Sequence, residues 1–194
     1  MEIGYLLLLA VTPAAFWLWY FYNKDRYEPE PLSWILIVYI FGIVVTIPVA
    51  FIEGTLSIIV PEFFIVVLVA PIVEEAGKYL VVKKTVWESL EFDEPVDGII
   101  YAAAAGLGFA TLENVIYVFS AVETSLILAL QTGLLRALIS VPGHVLFSAM
   151  WGYSLGKARF IPQEQRTGVI ATGLILAMAF HALFNLLLYD AIGF

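Results

Sequence analysis

This chain of 194 residues has no cysteine, only two histidines and little charge. Without cysteine there are no disulfides and no thiolate metal sites, and the redox compartment is left open. Charged residues make up 13% of the chain, against about 25% in soluble domains. No run of lysine or arginine forms the basic patch that a nucleic-acid partner needs. No His-Glu-x-x-His helix is present, which excludes a zincin site. Internal repeats, low-complexity stretches and long linkers are also missing, so a single domain is expected over 1–194.

Apolar residues fill the space, at 62% of the chain with a mean hydropathy of +0.95. That composition belongs to an integral membrane protein. The net charge of −8 lies largely in short loops, at Glu28, Glu30, Glu88, Glu91, Asp93 and Glu94, and reads as solvated surface. At about 20 apolar residues per crossing, the spans fall near 3–22, 33–52, 63–82, 98–119, 125–156 and 168–190. The expected fold is an all-α polytopic transmembrane helical bundle with about six crossings. The fifth segment is too long for one straight crossing and can bend or break at Gly133 or Pro142-Gly143, as one bent helix or as a re-entrant piece plus a span. The first segment has no basic leader before its long apolar run and reads as an uncleaved span rather than a signal peptide.

Basic residues set the direction. Lys24 and Arg26, then Lys83 and Lys84, then Lys157, Arg159 and Arg166 occupy alternate loops, while the loops near 53–62 and 120–124 hold Glu53, Glu62 and Glu123 and no basic residue. The positive-inside rule then puts both termini outside and makes 125–156 a single net crossing.

Against this background Glu74, Glu75, Glu113, His144 and His181 are expensive residues, because an ionisable side chain at bilayer depth costs at least ~2.5–3.5 kcal/mol on insertion scales. Glu74 and Lys78, at i and i+4, share a helix face, and Glu75 is three residues from Lys78. One carboxylate facing a cavity and the other held by Lys78 or a neighbouring helix is a natural division; the competing reading is an ion pair that only locks helices together. Glu113, one turn after Phe109, has no basic residue at i±3 or i±4, so it must be protonated, paired from another helix or bound to a metal. The run Ala102–Ala105 with Gly106 and Gly108 reads as packing for close helix approach. Arg136, Ser140, His144 and Ser148, each four apart, form a polar stripe, in which Arg136 either balances the glutamates or reaches the outer surface. His181 and Asn185 share a face of the last span, where Asn185 can orient the imidazole or offer its own oxygen. At 1.5 Å per residue, His181, His144, Glu74 and Glu113 sit about 20, 17, 18 and 23 Å from the inner helix ends, which permits one shared site in the outer half.

Taken together, Glu74-Glu75-x-x-Lys78, Phe109-x-x-x-Glu113 and one histidine in each of two later spans resemble the PrsW family of membrane-embedded proteases. The loop Asp25-Arg26-Tyr27-Glu28-Pro29-Glu30-Pro31 and Pro142-Gly143-His144 are similar to that family as well, so the resemblance covers nearly the whole chain. The related CAAX prenyl proteases and bacteriocin-processing enzymes carry Glu-Glu-x-x-x-Arg and Phe-x-x-x-His where this chain has Lys78 and Glu113, which argues against isoprenylated substrates. The resemblance implies Glu74 as general base, with Glu113, His144 and His181 completing the site and Asn185 assisting. It also implies a prokaryotic plasma-membrane enzyme that makes the first cut in a membrane-anchored anti-sigma factor during stress signalling. Two carboxylates and two imidazoles can hydrolyse a peptide through a Zn²⁺ ion, with Glu113, His144 and His181 as ligands, or without a metal; both routes stay open. Two other functions fit the same residues. One is a proton-coupled transporter or channel, although the inverted repeats common in transporters are not visible. The other is a silent scaffold, since a non-catalytic scaffold subunit of gamma-secretase shares the superfamily.

Overall fold

The structure, a computed structural model, describes residues 2–24 and 28–192. Asp25, Arg26 and Tyr27, which open the loop motif, lie outside the described residues. Among the described residues there is no strand, and six long helices follow in order: α1 Glu2–Lys24, α2 Leu32–Leu56, α3 over 62–85, α4 Asp97–Val122, α5 Leu126–Arg159 and α6 Gln163–Ile192. The protein is an all-α polytopic bundle. Five of these helices are long and apolar enough to cross a bilayer. The sixth, α3, is helical without a break and long enough to cross, but carries Glu74, Glu75 and Lys78 in its middle and so is less apolar than the rest.

Burial identifies the centre. In α4, 72% of the most apolar window is buried inside the bundle, against 28% or less in the other four apolar helices, so α4 is the axis and the others present their outer faces to lipid. α4 packs against α5, α2 and α1. Its small residues bring backbones together: a Cβ on Gly98 would strike the Gly152 carbonyl, one on Gly152 the Gly98 carbonyl, and one on Gly108 the Tyr39 carbonyl. Between membrane helices, where apolar side chains gain nothing over lipid tails, such close approach supplies the packing. Below α4, the Asp97 carboxylate accepts the Asp93 and Glu94 N–H groups at 2.9 and 2.7 Å, and the Tyr101 hydroxyl donates to buried Glu30.

Two helices change pitch once each. A π-helical turn covers Ile65–Val69 in α3 and another covers Arg136–Ser140 in α5. Each ends just before a proline in the second position of the following α-helix, Pro71 and Pro142. A proline ring crowds the carbonyl four residues back and offers no N–H, and a wider turn absorbs that mismatch. The fifth segment is therefore one continuous helix, and its irregularity falls between Gly133 and Pro142 rather than at either.

Candidate active site

The two π-turns deliver the chemistry-bearing residues. Pro71 is followed after one turn by Glu74 and Glu75, and Pro142 after two residues by His144. α4 contributes Glu113 and α6 contributes His181. The structure brings all four positions, Glu74, Glu113, His144 and His181, to the wall of one cavity of about 620 Å³. The cavity also touches Glu53, Ser57 and Glu62, so it opens toward the end of the bundle that carries the 53–62 loop.

Glu74 and Glu75 divide as their ~100° angular separation requires. Glu75 is fully buried and is wrapped on every side: it accepts from Lys78 at 2.8 Å, from His181 Nδ1 at 3.0 Å, from Trp151 Nε1 at 2.9 Å and, more weakly, from Ser148 at 3.4 Å. Glu74 lines the cavity and accepts from Lys78 at 3.0 Å. Lys78, fully buried, also donates to His144 Nδ1 at 3.0 Å and lies 4.3 Å from the centre of the Phe109 ring. Phe109 thus closes the site over the ammonium. The pair does lock helices, but only one of its carboxylates is used up in doing so.

Glu113 finds its cation on another helix. Arg136 donates to its carboxylate at 2.8 Å, and His144 Nε2 lies 2.7 Å from the same oxygen. Arg136 is held in turn: its Nε donates to Asn114 at 2.7 Å, Asn114 donates to the Ala10 carbonyl at 3.2 Å, and the guanidinium lies 4.1 Å from the Tyr117 ring centre. Arg136 therefore balances a glutamate rather than reaching the outer surface. Because Lys78 can only donate, His144 accepts at Nδ1 and carries its proton at Nε2, toward Glu113.

His181 has the opposite tautomer. Its Nδ1–H donates to Glu75, so the lone pair is on Nε2, and its ring stacks on Phe147 with centroids 4.6 Å apart. A buried carboxylate fixing one imidazole nitrogen while the other stays free is the arrangement that orients histidine ligands around metals. Donor atoms of Glu74, His144 and His181 lie within 4.8 Å of one another, and all three residues are buried. Glu53 lines the same cavity, and one of its oxygens is buried without a hydrogen-bond partner among the described residues. A divalent cation fits this set through Glu74 and His181, with His144 joining when Lys78 yields its Nδ1. The grouping exchanges the two glutamates relative to the sequence-based set: Glu74 stands with the histidines, and Glu113 is the remaining acid.

Asn185 meets one of its two expected uses and not the other. It lines the cavity, yet its amide donates at 2.9 Å to the Val66 carbonyl inside the first π-turn rather than orienting His181. Only its oxygen is left to meet a reacting group. Trp151, Asn114, Phe147 and Glu53 were not singled out from the sequence. Trp151 lies seven residues after His144 and so on its face, a signal that was available; Glu53 read as a loop residue but sits in the last turn of α2.

A model described as "PrsW family intramembrane metalloprotease" matches residues 30–194. The protein called protease PrsW in Geobacillus kaustophilus is 38% identical over 189 residues, which span 94% of this chain and 79% of that protein. The protease PrsW of Clostridioides difficile is 33% identical over 190 residues (94% and 79%), and that of Bacillus subtilis 32% over 181 residues (92% and 80%). No solved structure matches the chain.

Proposed function

This chain belongs to the PrsW family of intramembrane metalloproteases and is a multi-pass membrane protease, and on that footing we propose that it cuts a membrane-anchored protein through the Glu74, Glu113, His144 and His181 cavity. The observation that carries this reading is His181, whose Nδ1 is fixed by Glu75 so that its other nitrogen is free, and which shares with Glu74 and His144 a group of donor atoms within 4.8 Å of one another. Glu74, His144 and His181 would hold the divalent cation, Zn²⁺ being the natural choice for a nitrogen–oxygen set. When bound, the ion supplies Lewis-acid polarisation and lowers the pKa of water.

The protein's own groups supply the rest. Glu113 is the general base: a carboxylate on the cavity wall can accept a proton from water and return it to the leaving amine. Arg136 keeps that carboxylate aimed, and Asn114 keeps Arg136 in place. His144 carries its proton toward Glu113, so the two form a ready proton path. Lys78, Glu75 and Trp151 hold the rings and the Glu74 carboxylate in position without meeting the substrate. Lipid does not fill a polar cavity, so water needed for hydrolysis has a place to reside.

The finer reading is a first cut in an anti-sigma factor, near the extracytoplasmic side. It is supported by family membership and by a cavity that opens toward the 53–62 loop, which the distribution of Lys and Arg assigns to the outside. The test is mass spectrometry of a single-pass anti-sigma factor reconstituted with the enzyme in lipid. A new terminus in the outer part of its span or just beyond it is expected; an intact substrate beside a cleaved control sequence would redirect the search to another membrane-anchored protein.

A further inference from the structure

The opposite end of the bundle holds a second cavity, about 580 Å³, between α3 and α6. Its lining has two chemistries in order of depth. Lys83 and Arg166 stand at the mouth beside Trp87, and Tyr79, Ile170 and Leu174 form the floor. Tyr79 is one turn above Lys83 on α3, and Ile170 and Leu174 are one and two turns above Arg166 on α6. The cleft therefore runs about 12 Å from a basic rim toward the middle of the bilayer.

Three cations gather on one indole there. Lys83 lies over the Trp87 ring, with the guanidinium carbons of Arg159 and Arg166 at 5.6 and 5.9 Å from its centre. Trp87 is itself buried and pinned by a hydrogen bond from Nε1 to the Leu155 carbonyl at 3.2 Å. The arginines are not loose: Arg159 donates to the Ser89 carbonyl at 3.3 Å, and Arg166 to the Ile161 and Arg159 carbonyls at 3.1 Å each. Among the described residues none of the three is in ion-pair contact with a carboxylate, although Glu88 lines the same cleft. Three like charges held near one ring repel one another, and a π-face offsets that only in part.

The geometry points to a binding site for one anionic phospholipid of the inner leaflet, its phosphate between Lys83 and Arg166 and an acyl chain along Tyr79, Ile170 and Leu174. Charge complementarity selects the lipid: basic pockets between helices at the inner face attract anionic headgroups, and guanidinium matches phosphate geometry. The apolar floor distinguishes it from a free phosphate site. Because α3 carries Glu74 and α6 carries His181, the bound lipid bridges the inner ends of two helices that meet at the catalytic cavity.

Native mass spectrometry of the detergent-purified protein tests this, with dioleoyl phosphatidylglycerol as probe and dioleoyl phosphatidylcholine as control. The expected result is a single retained phosphatidylglycerol that phosphatidylcholine does not replace. Lys83→Gln with Arg166→Gln should weaken it at least about tenfold. Lys84→Gln with Lys157→Gln, the same charge change outside the cleft, should leave it within about twofold. Ala171→Trp, at an exposed position on the cleft wall, keeps every charge but fills the floor and should also remove the lipid. Equal retention of phosphatidylcholine, equal loss in the Lys84 and Lys157 variant, displacement by millimolar inorganic phosphate, or survival of binding in Ala171→Trp each overturns the assignment.

Discussion

The two halves of α4 show opposite ways of holding membrane helices together. At Gly98 and Gly108 the helix meets its neighbours' backbones with no room for a methyl group, and every residue from Ile100 to Thr111 is buried. From Phe109 onward one face meets them through Glu113, Asn114 and the Arg136 and His144 side chains that reach it, and a cavity opens there, while Val118 on the other side packs with Leu6, Ala10 and Ala129. Close contact leaves no space for water; on the cavity face, charged groups at the ends of long side chains line the space and supply the groups that water needs. One half positions the other. Rigid packing at the glycine end allows charged groups only a few ångströms apart to keep their places, which a site built on mobile helices would not do.

Substitutions at the two ends should separate activity from stability. The largest effect is expected from Glu74→Gln, which keeps shape and loses the charge: peptide cleavage should fall on the order of 10³-fold with little change in Tm. Retention of more than about a tenth of the rate would remove Glu74 from the chemistry. Glu113→Gln should lose comparable activity but keep its bound metal, while Glu74→Gln loses metal, as read by elemental analysis of the purified protein. A reversed metal result would return Glu113 to the ligand set and Glu74 to the role of base.

Next comes Glu75→Gln, which leaves Lys78 buried with one carboxylate fewer and weakens the hold on His181. Breaking such a buried pair costs about 3–5 kcal/mol, so thermal unfolding in detergent should drop along with activity. Gly152→Ala belongs to the other half. It should cost roughly 1–3 kcal/mol by overpacking against the Gly98 carbonyl, while the folded fraction stays active per molecule. Loss of activity in that folded fraction would show that the two halves are less separable than the packing implies. The smallest effect is expected from Lys84→Cys, a label site in a chain without native cysteine. It should react with an impermeant reagent only after the membrane is opened, and reaction in intact cells would invert the bundle.

Spacing along single helices was legible in the sequence, and contact between helices was legible only where charge demanded it. Glu74 and Lys78 at i and i+4 announced their own pair, and the lone Glu113 announced a partner elsewhere without naming Arg136. His144 and His181 were drawn to the glutamates because isolated polar groups in lipid are costly, and that energetic argument led to the observed cavity. That Glu74 groups with both histidines was not legible, since which carboxylate faces which imidazole depends on helix rotations fixed by packing. Asn185, singled out by its spacing to His181, does line the cavity, but its hydrogen bond to a carbonyl 119 positions away in sequence was not legible. α3 falls short of the apolarity of the other five long helices for a related reason: a helix buried among others can carry charges that a lipid-facing one cannot.

Each π-turn is, in effect, one residue too many for a plain α-helix, and that surplus sets a phase. Winding Ile65–Val69 or Arg136–Ser140 into regular α pitch with every residue kept would rotate one end of the helix by about 100° and shift it by about 1.5 Å, whereas deleting the surplus residue would leave both ends in phase. In α3 the lower end is anchored by Glu75 and Lys78 and the upper by the Asn185 bond to Val66, so both anchors cannot survive the rotation. The reading frame of the active site along its own helix thus depends on the wide turn that takes up one surplus residue ahead of each proline.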